Sequence, residues 1–400
     1  MNRFMHKLRA YSPAGLLTFT PGLLLLATSL SALAEVVPPV PRAASLELSF
    51  DKATLPAQNV QIWKTESGGY DTGDKTEGGL YAKNTWLCLS STDPAHGQCA
   101  TASERNDSAA DTIIPLTFTE KRSGMRTILN VTASRDVGLH YPDLSNCIQA
   151  HGNRYVINTP TRLKYPGSCG YDGDLMSNET FLSAYLPAAE LKKLPVGGIW
   201  EADLDLMVNQ EGDIPLVEWT AHLSLKMTDT GHIDIYFPAF ASTSPRVQLN
   251  LNPHGGPDGN AWASDYTVLD MCLYDGYNVN SDRYEVTFRQ EASGGRTDGM
   301  FSLYREGDET ASGAQRIDFH LKLKSPTGDI LAVENAKTLS FDQINIDTIR
   351  PVRIPSIPYA VLCAPMPLIF VVDKFDIKNK IAGFYRGSIT VEFTPFILTL

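Results

Sequence analysis

Eight histidines, six cysteines and several carboxylate pairs are the side chains with which this 400-residue chain could do chemistry. The histidines stand at 6, 96, 140, 151, 222, 232, 254 and 320, and no two are spaced i, i+2 or i, i+4. A metal site carried on one strand or helix needs such spacing, so no metal and no cofactor is expected. Asp203 with Asp205, and Asp172 with Asp174, offer the paired carboxylates that a glycosidase uses. In Glu201-Ala202-Asp203-Leu204-Asp205-Leu206, however, the acids alternate with apolar residues, as on a solvated strand face. Asp275, Asn278, Asn280 and Asp282 could offer oxygens to calcium. Asn, Asp and Gly are also ordinary turn residues, and a polar turn is the preferred reading. G-x-S-x-G, H-E-x-x-H and phosphate-loop patterns are all missing, so no catalytic residue is expected.

The cysteines are Cys88, Cys99, Cys147, Cys169, Cys272 and Cys363, with no C-x-x-C pair among them. An even count suits disulfides in an exported protein, although six cysteines can pair in fifteen ways. The most local pairing is Cys88–Cys99, Cys147–Cys169 and Cys272–Cys363. Residues 1–34 fit export. Arg3, Lys7 and Arg9 precede an apolar run from Leu16 to Leu30, and Ala32-Leu33-Ala34 then makes a small-x-small cleavage pattern.

The chain carries a formal charge of −11, and loss of residues 1–34 would leave −14. Such a field repels nucleic acid and anionic membranes. One stretch runs against it. Between Glu120 and Lys164 seven cations (Lys121, Arg122, Arg126, Arg135, Arg154, Arg162, Lys164) face three acids (Glu120, Asp136, Asp143). Together with Tyr141, Tyr155 or Tyr165 they could receive an anionic sugar or an acidic surface.

The elements that must position these residues are strands. Apolar residues fall at every second position in Leu46–Phe50, Leu116–Thr119, Ile128–Val131, His232–Phe237, Arg246–Leu251, Ile317–Leu323 and Ile389–Phe393. Clusters such as Asn252-Pro253-His254-Gly255-Gly256-Pro257 break the runs, and only Pro187–Lys193 has helical character. Many short strands with frequent turns predict tandem β-sandwiches. The turn Thr228-Asp229-Thr230-Gly231 is the natural seam. The last strand, Gly387 to Leu400, is apolar, as in exported pilus subunits whose sandwich is one strand short.

Several segments carry a resemblance. Leu87-Cys88-Leu89-Ser90-Ser91, Leu116–Ser123, Leu186–Trp200, Leu249–Pro253, Met271–Tyr277 and Val391–Pro395 occur in order, and the cysteine order agrees. The chain resembles the class 5 fimbrial tip adhesins, the CblD-like pilus biogenesis initiator family. The resemblance implies an all-β chain of two immunoglobulin-like sandwiches: a cleaved signal peptide at 1–34, an N-terminal adhesin domain at 35–227, a linker at 228–230 and a C-terminal pilin domain at 231–400. The pilin domain would lack its last strand. A periplasmic chaperone, and then the N-terminal donor strand of the major pilin subunit, would fill the groove, pairing along Ile389, Val391 and Phe393. The protein would pass through the periplasm, start assembly at the outer-membrane usher and stand at the fimbrial tip on the bacterial cell surface. There it would bind a host-cell glycoconjugate or protein receptor. In the family the receptor site is a basic cluster, of which Lys83 stays cationic here. Its other positions fall near Asn209-Gln210-Glu211 and near Pro166. The receptor-binding candidates are therefore Lys83 and, from the basic stretch, Arg122, Arg126, Arg154 and Lys164. The alternatives are a structural pilus initiator that binds no receptor and, more distantly, an exported carbohydrate-active enzyme.

Overall fold

Alternation of apolar and polar residues becomes two stacked β-sandwiches, seen in a computed structural model that describes residues 35–397. Within that span 74–75, 77–78, 142–146, 151–153, 168–169, 241–242, 256–259, 292–298, 308–311 and 343 are not described, and for 147–150 and 346 only the backbone is. The expected signal peptide and the Cys147–Cys169 bridge thus lie outside the described residues.

The first sandwich begins with β1 (Val36–Val37), β2 (Arg42–Asp51), β3 (Val60–Asp71) and β4 (Thr85–Cys88). β5 (Thr112–Glu120), β6 (Arg126–Tyr141), β7 (Cys147–Ala150), β8 (Lys164–Pro166) and β9 (Asp174–Met176) follow. β10 (Glu179–Leu186), β11 (Gly198–Gln210) and β12 (Ile214–Thr228) complete it. The main sheet runs β1-β3-β10-β6-β5-β11-β12-β2, with β4 on β11 and β7 on β6. Alternate residues of β11 (Trp200, Leu204, Leu206, Val208) and β12 (Trp219, Ala221, Leu223, Leu225) are buried, which fixes the register against a one-residue slip. Trp219 sits between Trp63 and Trp86, with ring centroids 5.7 and 5.3 Å away, as the centre of this core. Residues Ala188–Lys193 form a 3-10 helix, where the sequence predicts the one helical turn. β2 lies parallel to β12, with Arg42–Asp51 opposite Trp219–Thr228.

The second sandwich contains β13 (Asp234–Tyr236), β14 (Trp262–Leu269), β15 (Cys272–Tyr274), β16 (Arg283–Arg289), β17 (Phe301–Arg305) and β18 (Arg316–Lys324). Next come β19 (Ile330–Val333), β20 (Thr338–Phe341), β21 (Arg350–Val352), β22 (Val361–Pro365), β23 (Leu368–Asp376), β24 (Tyr385–Arg386) and β25 (Thr390–Phe396). One layer runs β14-β23-β18-β17-β24 and the facing strands run β20-β16-β25 and β13-β15-β22-β21. Phe288, Phe301, Phe319 and Phe370 fill the space between. Disulfides join Cys88 to Cys99 and Cys272 to Cys363.

β12 ends at Thr228 and a 3-10 turn, Thr230–His232, leads into β13. Here the two sandwiches touch main chain to main chain. Asp229 N donates to Gly276 O at 2.8 Å, and a Cβ on Gly197 would lie 1.9 Å from that same oxygen. Buried Glu120 accepts from Ser123 and from Asn280 Nδ2, and Cys272, Tyr274, Ile354 and Val361 continue the apolar cluster of the first sandwich.

Candidate functional site: an open groove and a distal polar end

The second sandwich is open along one side. β25 pairs with β16 through Arg283–Arg289 and no strand lies on its other edge among the described residues. Opposite it, residues 245–251 run extended, with Pro245, Val247, Leu249 and Leu251 half-buried and Arg246, Gln248 and Asn250 exposed. The sequence predicts a strand at Arg246–Leu251. The alternation is there, but no ladder partner is among the described residues, so this segment forms one wall of a groove. The other wall is β25 and the chain leading into it: Tyr385, Ile389, Val391 and Phe393. The floor is Leu269, Leu303, Phe319, Leu321, Leu368 and Phe370, and the space measures 1420 Å³. Ile389, Val391 and Phe393 all face it, half-buried, with the Phe393 ring 5.0 Å from Tyr284. Phe384 at the mouth is 78% exposed. Such a space, apolar below and lined by a free strand edge, accepts a strand whose alternate side chains point inward.

The five receptor-binding candidates do not converge. Arg122 and Arg126 flank the β5–β6 turn at the end of the first sandwich that meets the second. Arg122 Nε donates to Asn280 Oδ1 at 2.7 Å, and Arg126 is exposed. Lys83, Arg154 and Lys164 lie toward the opposite end. Arg135, beside which Tyr155 pairs, is nine residues along β6 from Arg126, a rise of about 30 Å. At that distal end Lys83 meets Glu211 at 2.6 Å, Arg154 meets Asp111 at 3.0 Å, and Lys164 pairs with Asp174.

Arg135 organises this end. Its side chain is fully buried, and its Nε, Nη1 and Nη2 donate to the carbonyls of Asn84, Thr161 and Ala82 at 2.7, 2.7 and 2.9 Å. Burial pulls its pKa down to about 9, which still leaves it charged at neutral pH. The two carbonyls flanking Lys83 are thus held by one guanidinium. Reading Arg135 as one surface cation among seven missed this; its place inside β6, with Ala133 and Val137 buried on either side, was the available signal. A second cluster forms around His140, and its members lie too far apart in sequence to form a motif. Tyr70 stacks on His140 at 4.3 Å, His140 Nδ1 lies 3.6 Å from Glu179, and Ser67 donates to Glu179 at 2.8 Å. Burial raises the Glu179 pKa, and burial with neighbouring Glu35 pushes Tyr70 up to about 12.

The remaining chemical candidates are structural. Asp275 is buried, and its oxygens accept from the amides of Tyr277, Val279 and Ser281 and from the Ser281 hydroxyl, closing its own loop. Asn278 accepts from Leu362 N. Asp203 pairs with His222 at 2.7 Å and Asp205 with His96 at 2.9 Å on the outer face of β11. No group of metal-ligating side chains forms among the described residues.

Two family models match this chain: the first domain of the CFA/I fimbrial subunit CfaE over residues 31–230 and its second domain over residues 233–397. The chain belongs to the CfaE family of CFA/I fimbrial subunits. The curated CFA/I fimbrial protein of this type from Escherichia coli is 33% identical over 325 residues, spanning 80% of this chain and 82% of that protein. The crystal structure of CfaE, the adhesive subunit of CFA/I fimbria of enterotoxigenic Escherichia coli, superposes with a TM-score of 0.72 at 27% identity, covering 91% of this chain and 95% of that one. A chaperone–tip adhesin complex from CFA/I fimbriae biogenesis matches with a TM-score of 0.63 at 26% identity, covering 91% of this chain and 99% of that one. The chain is a fimbrial subunit of the two-sandwich CfaE type, and these relatives are adhesin subunits rather than enzymes.

Proposed function

We propose that this chain is the tip adhesin of a chaperone–usher fimbria and the subunit that starts its assembly. The open groove beneath the free edge of β25 is the observation that carries the assembly half. A periplasmic chaperone fills it first along Ile389, Val391 and Phe393, and the N-terminal donor strand of the major pilin then replaces the chaperone. The chaperone–tip adhesin complex among the relatives supports the chaperone step. The outer-membrane usher receives the complex, after passage through the periplasm, and the protein comes to rest at the fimbrial tip. Residues 35–227 form the adhesin domain, 228–230 the linker and 231–400 the pilin domain; the two family models, matching over 31–230 and 233–397, support this division.

The adhesin domain meets the host receptor, a glycoconjugate or a protein, through the distal end that carries Lys83, Arg154 and Lys164, and not through Arg122 or Arg126. One observation favours a structural initiator without receptor binding: each distal cation already has a carboxylate partner. Deleting residues 36–227 separates the two readings. Loss of host-cell attachment by bacteria that still assemble fimbriae supports the adhesin; unchanged attachment refutes it. For the pilin half, a donor-strand peptide or the chaperone should raise the melting temperature of the isolated chain, and a high, unmoved melting temperature refutes it.

A further inference from the structure

A cleft of 270 Å³ opens where the two sandwiches meet, away from both the groove and the distal cations. Its first-domain wall is Lys52 and the segment Lys192-Lys193-Leu194-Pro195, the last turn of the 3-10 helix and the two residues after it. Its second-domain wall is His232 and the loop Ser356-Ile357-Pro358-Tyr359. Three lysines and a histidine therefore line it against one acid, Asp229, on a chain whose overall charge is −11.

Most of these groups are committed. Lys52 donates to Pro195 O at 2.7 Å and lies 3.5 Å from Asp229, whose other oxygen is 2.7 Å from His232 Nδ1. Lys193 pairs with Glu190 at 2.6 Å. Lys192 is exposed and makes no hydrogen bond or ion pair among the described residues, and Tyr359 is 49% exposed. A cation without a partner among the described residues, a half-exposed aromatic residue and a proline line one space the size of a small ring system, which has the chemistry to take an anionic sugar: charge to the lysine, C–H face to the tyrosine.

We infer that this seam cleft binds a saccharide bearing a carboxylate or a sulfate, with the anion at Lys192 and the sugar ring on Tyr359. Because the two walls come from different domains, the bound sugar ties them together. The inference does not rest on the distal receptor site, whose cations are other residues.

The test is calorimetric titration of the full mature chain, its groove filled by a donor-strand peptide, with sialyllactose, a sulfated galactose and neutral lactose. One anionic sugar should bind saturably at one per chain, lactose at least about tenfold more weakly, and about 0.5 M salt should weaken the anion. The sialylated and sulfated arms separate the two sources of charge. Lys192→Ala and Tyr359→Ala should each weaken binding about tenfold. Both side chains are exposed, so the melting temperature without sugar should hold. Where Tyr359→Ala loosens the seam, Tyr359→Phe is the second variant and should keep most of the affinity. Equal binding of lactose, no saturable binding of either anionic sugar, or unchanged affinity in Lys192→Ala overturns the inference. So does loss of binding only in a Lys83→Ala, Lys164→Ala double variant, which would place the sugar at the distal end.

Discussion

Replacing Arg135 by Met should unfold the distal end of the first sandwich. The side chain is fully buried and donates to three main-chain carbonyls, those of Ala82, Asn84 and Thr161. A hydrogen bond to a charged group contributes roughly 1.5–3 kcal/mol, so three lost bonds sum to roughly 4–9 kcal/mol before compensation. Against this stands the desolvation of the guanidinium, several kcal/mol, which methionine escapes. Methionine also fills much of the same volume, so the cavity penalty is small. The remainder is the penalty of three buried carbonyls without donors, roughly 1–3 kcal/mol each before relaxation, so a net loss of a few kcal/mol is expected. Urea denaturation followed by tryptophan fluorescence checks it, because Trp63, Trp86, Trp200 and Trp219 all lie in the first sandwich core. The Cys272–Cys363 sandwich should unfold as before, which makes it the internal control. A loss under about 1 kcal/mol would refute the reasoning, since it would mean that water or main-chain shifts satisfy all three carbonyls. Arg135→Lys, with one charge but no fork, should recover only a fraction of the loss.

Three further outcomes are expected. Val391→Asp together with Phe393→Asp should abolish chaperone capture in a pull-down while leaving the first sandwich's fluorescence transition in place; retained capture would mean the groove is not the docking site. Glu179→Gln should raise the melting temperature relative to the unchanged chain at pH 7 and lose that advantage near pH 4. The sign follows from burial: the folded pKa is raised, so the native carboxyl is favoured below the unfolded pKa and its contribution is lost as pH rises through the folded one. A pH-independent difference would remove burial as the cause. Gly197→Ala should open the seam, because its Cβ would fall 1.9 Å from Gly276 O; a hydrodynamic radius and an amide-exchange pattern at 228–232 identical to the parent's would show that the contact relaxes without cost.

Where sequence and structure agree, the cause is local. Leu46, Leu48 and Phe50 face inward in β2 because strand periodicity needs no knowledge of partners. The alternation in Ile389, Val391 and Phe393 places them on a core side in the same way. What stayed hidden depends on what lies across the sheet. Nothing in Arg246–Leu251 says that no strand among the described residues lies beside it, and nothing in the spacing of Lys83, Arg122 and Arg154 says that β6 carries Arg122 roughly 30 Å from the end that holds the other two. Arg135 reads as surface charge because only tertiary structure supplies the three carbonyls that allow it inside.

The parallel pairing of β2 with β12 bears on load. A fibre pulling on the second sandwich draws on Thr228, the end of β12, while a receptor would hold the first sandwich at its other end. Tension then runs along β12, across the direction of its hydrogen bonds to β11 and β2. Bonds loaded in this direction must slip together rather than break in succession. The ten-residue parallel ladder, closed at its foot by Thr228 Oγ1 donating to Asp51 at 2.7 Å and Lys52 N donating to Thr228 O at 2.8 Å, resists the pull as a single unit. At the seam the force meets mixed contacts: the main-chain hydrogen bond from Asp229 to Gly276, Arg122 and Glu120 on Asn280, and an apolar cluster shared by both sandwiches. The parallel ladder therefore passes a pull from one end of the first sandwich to the junction as a unit.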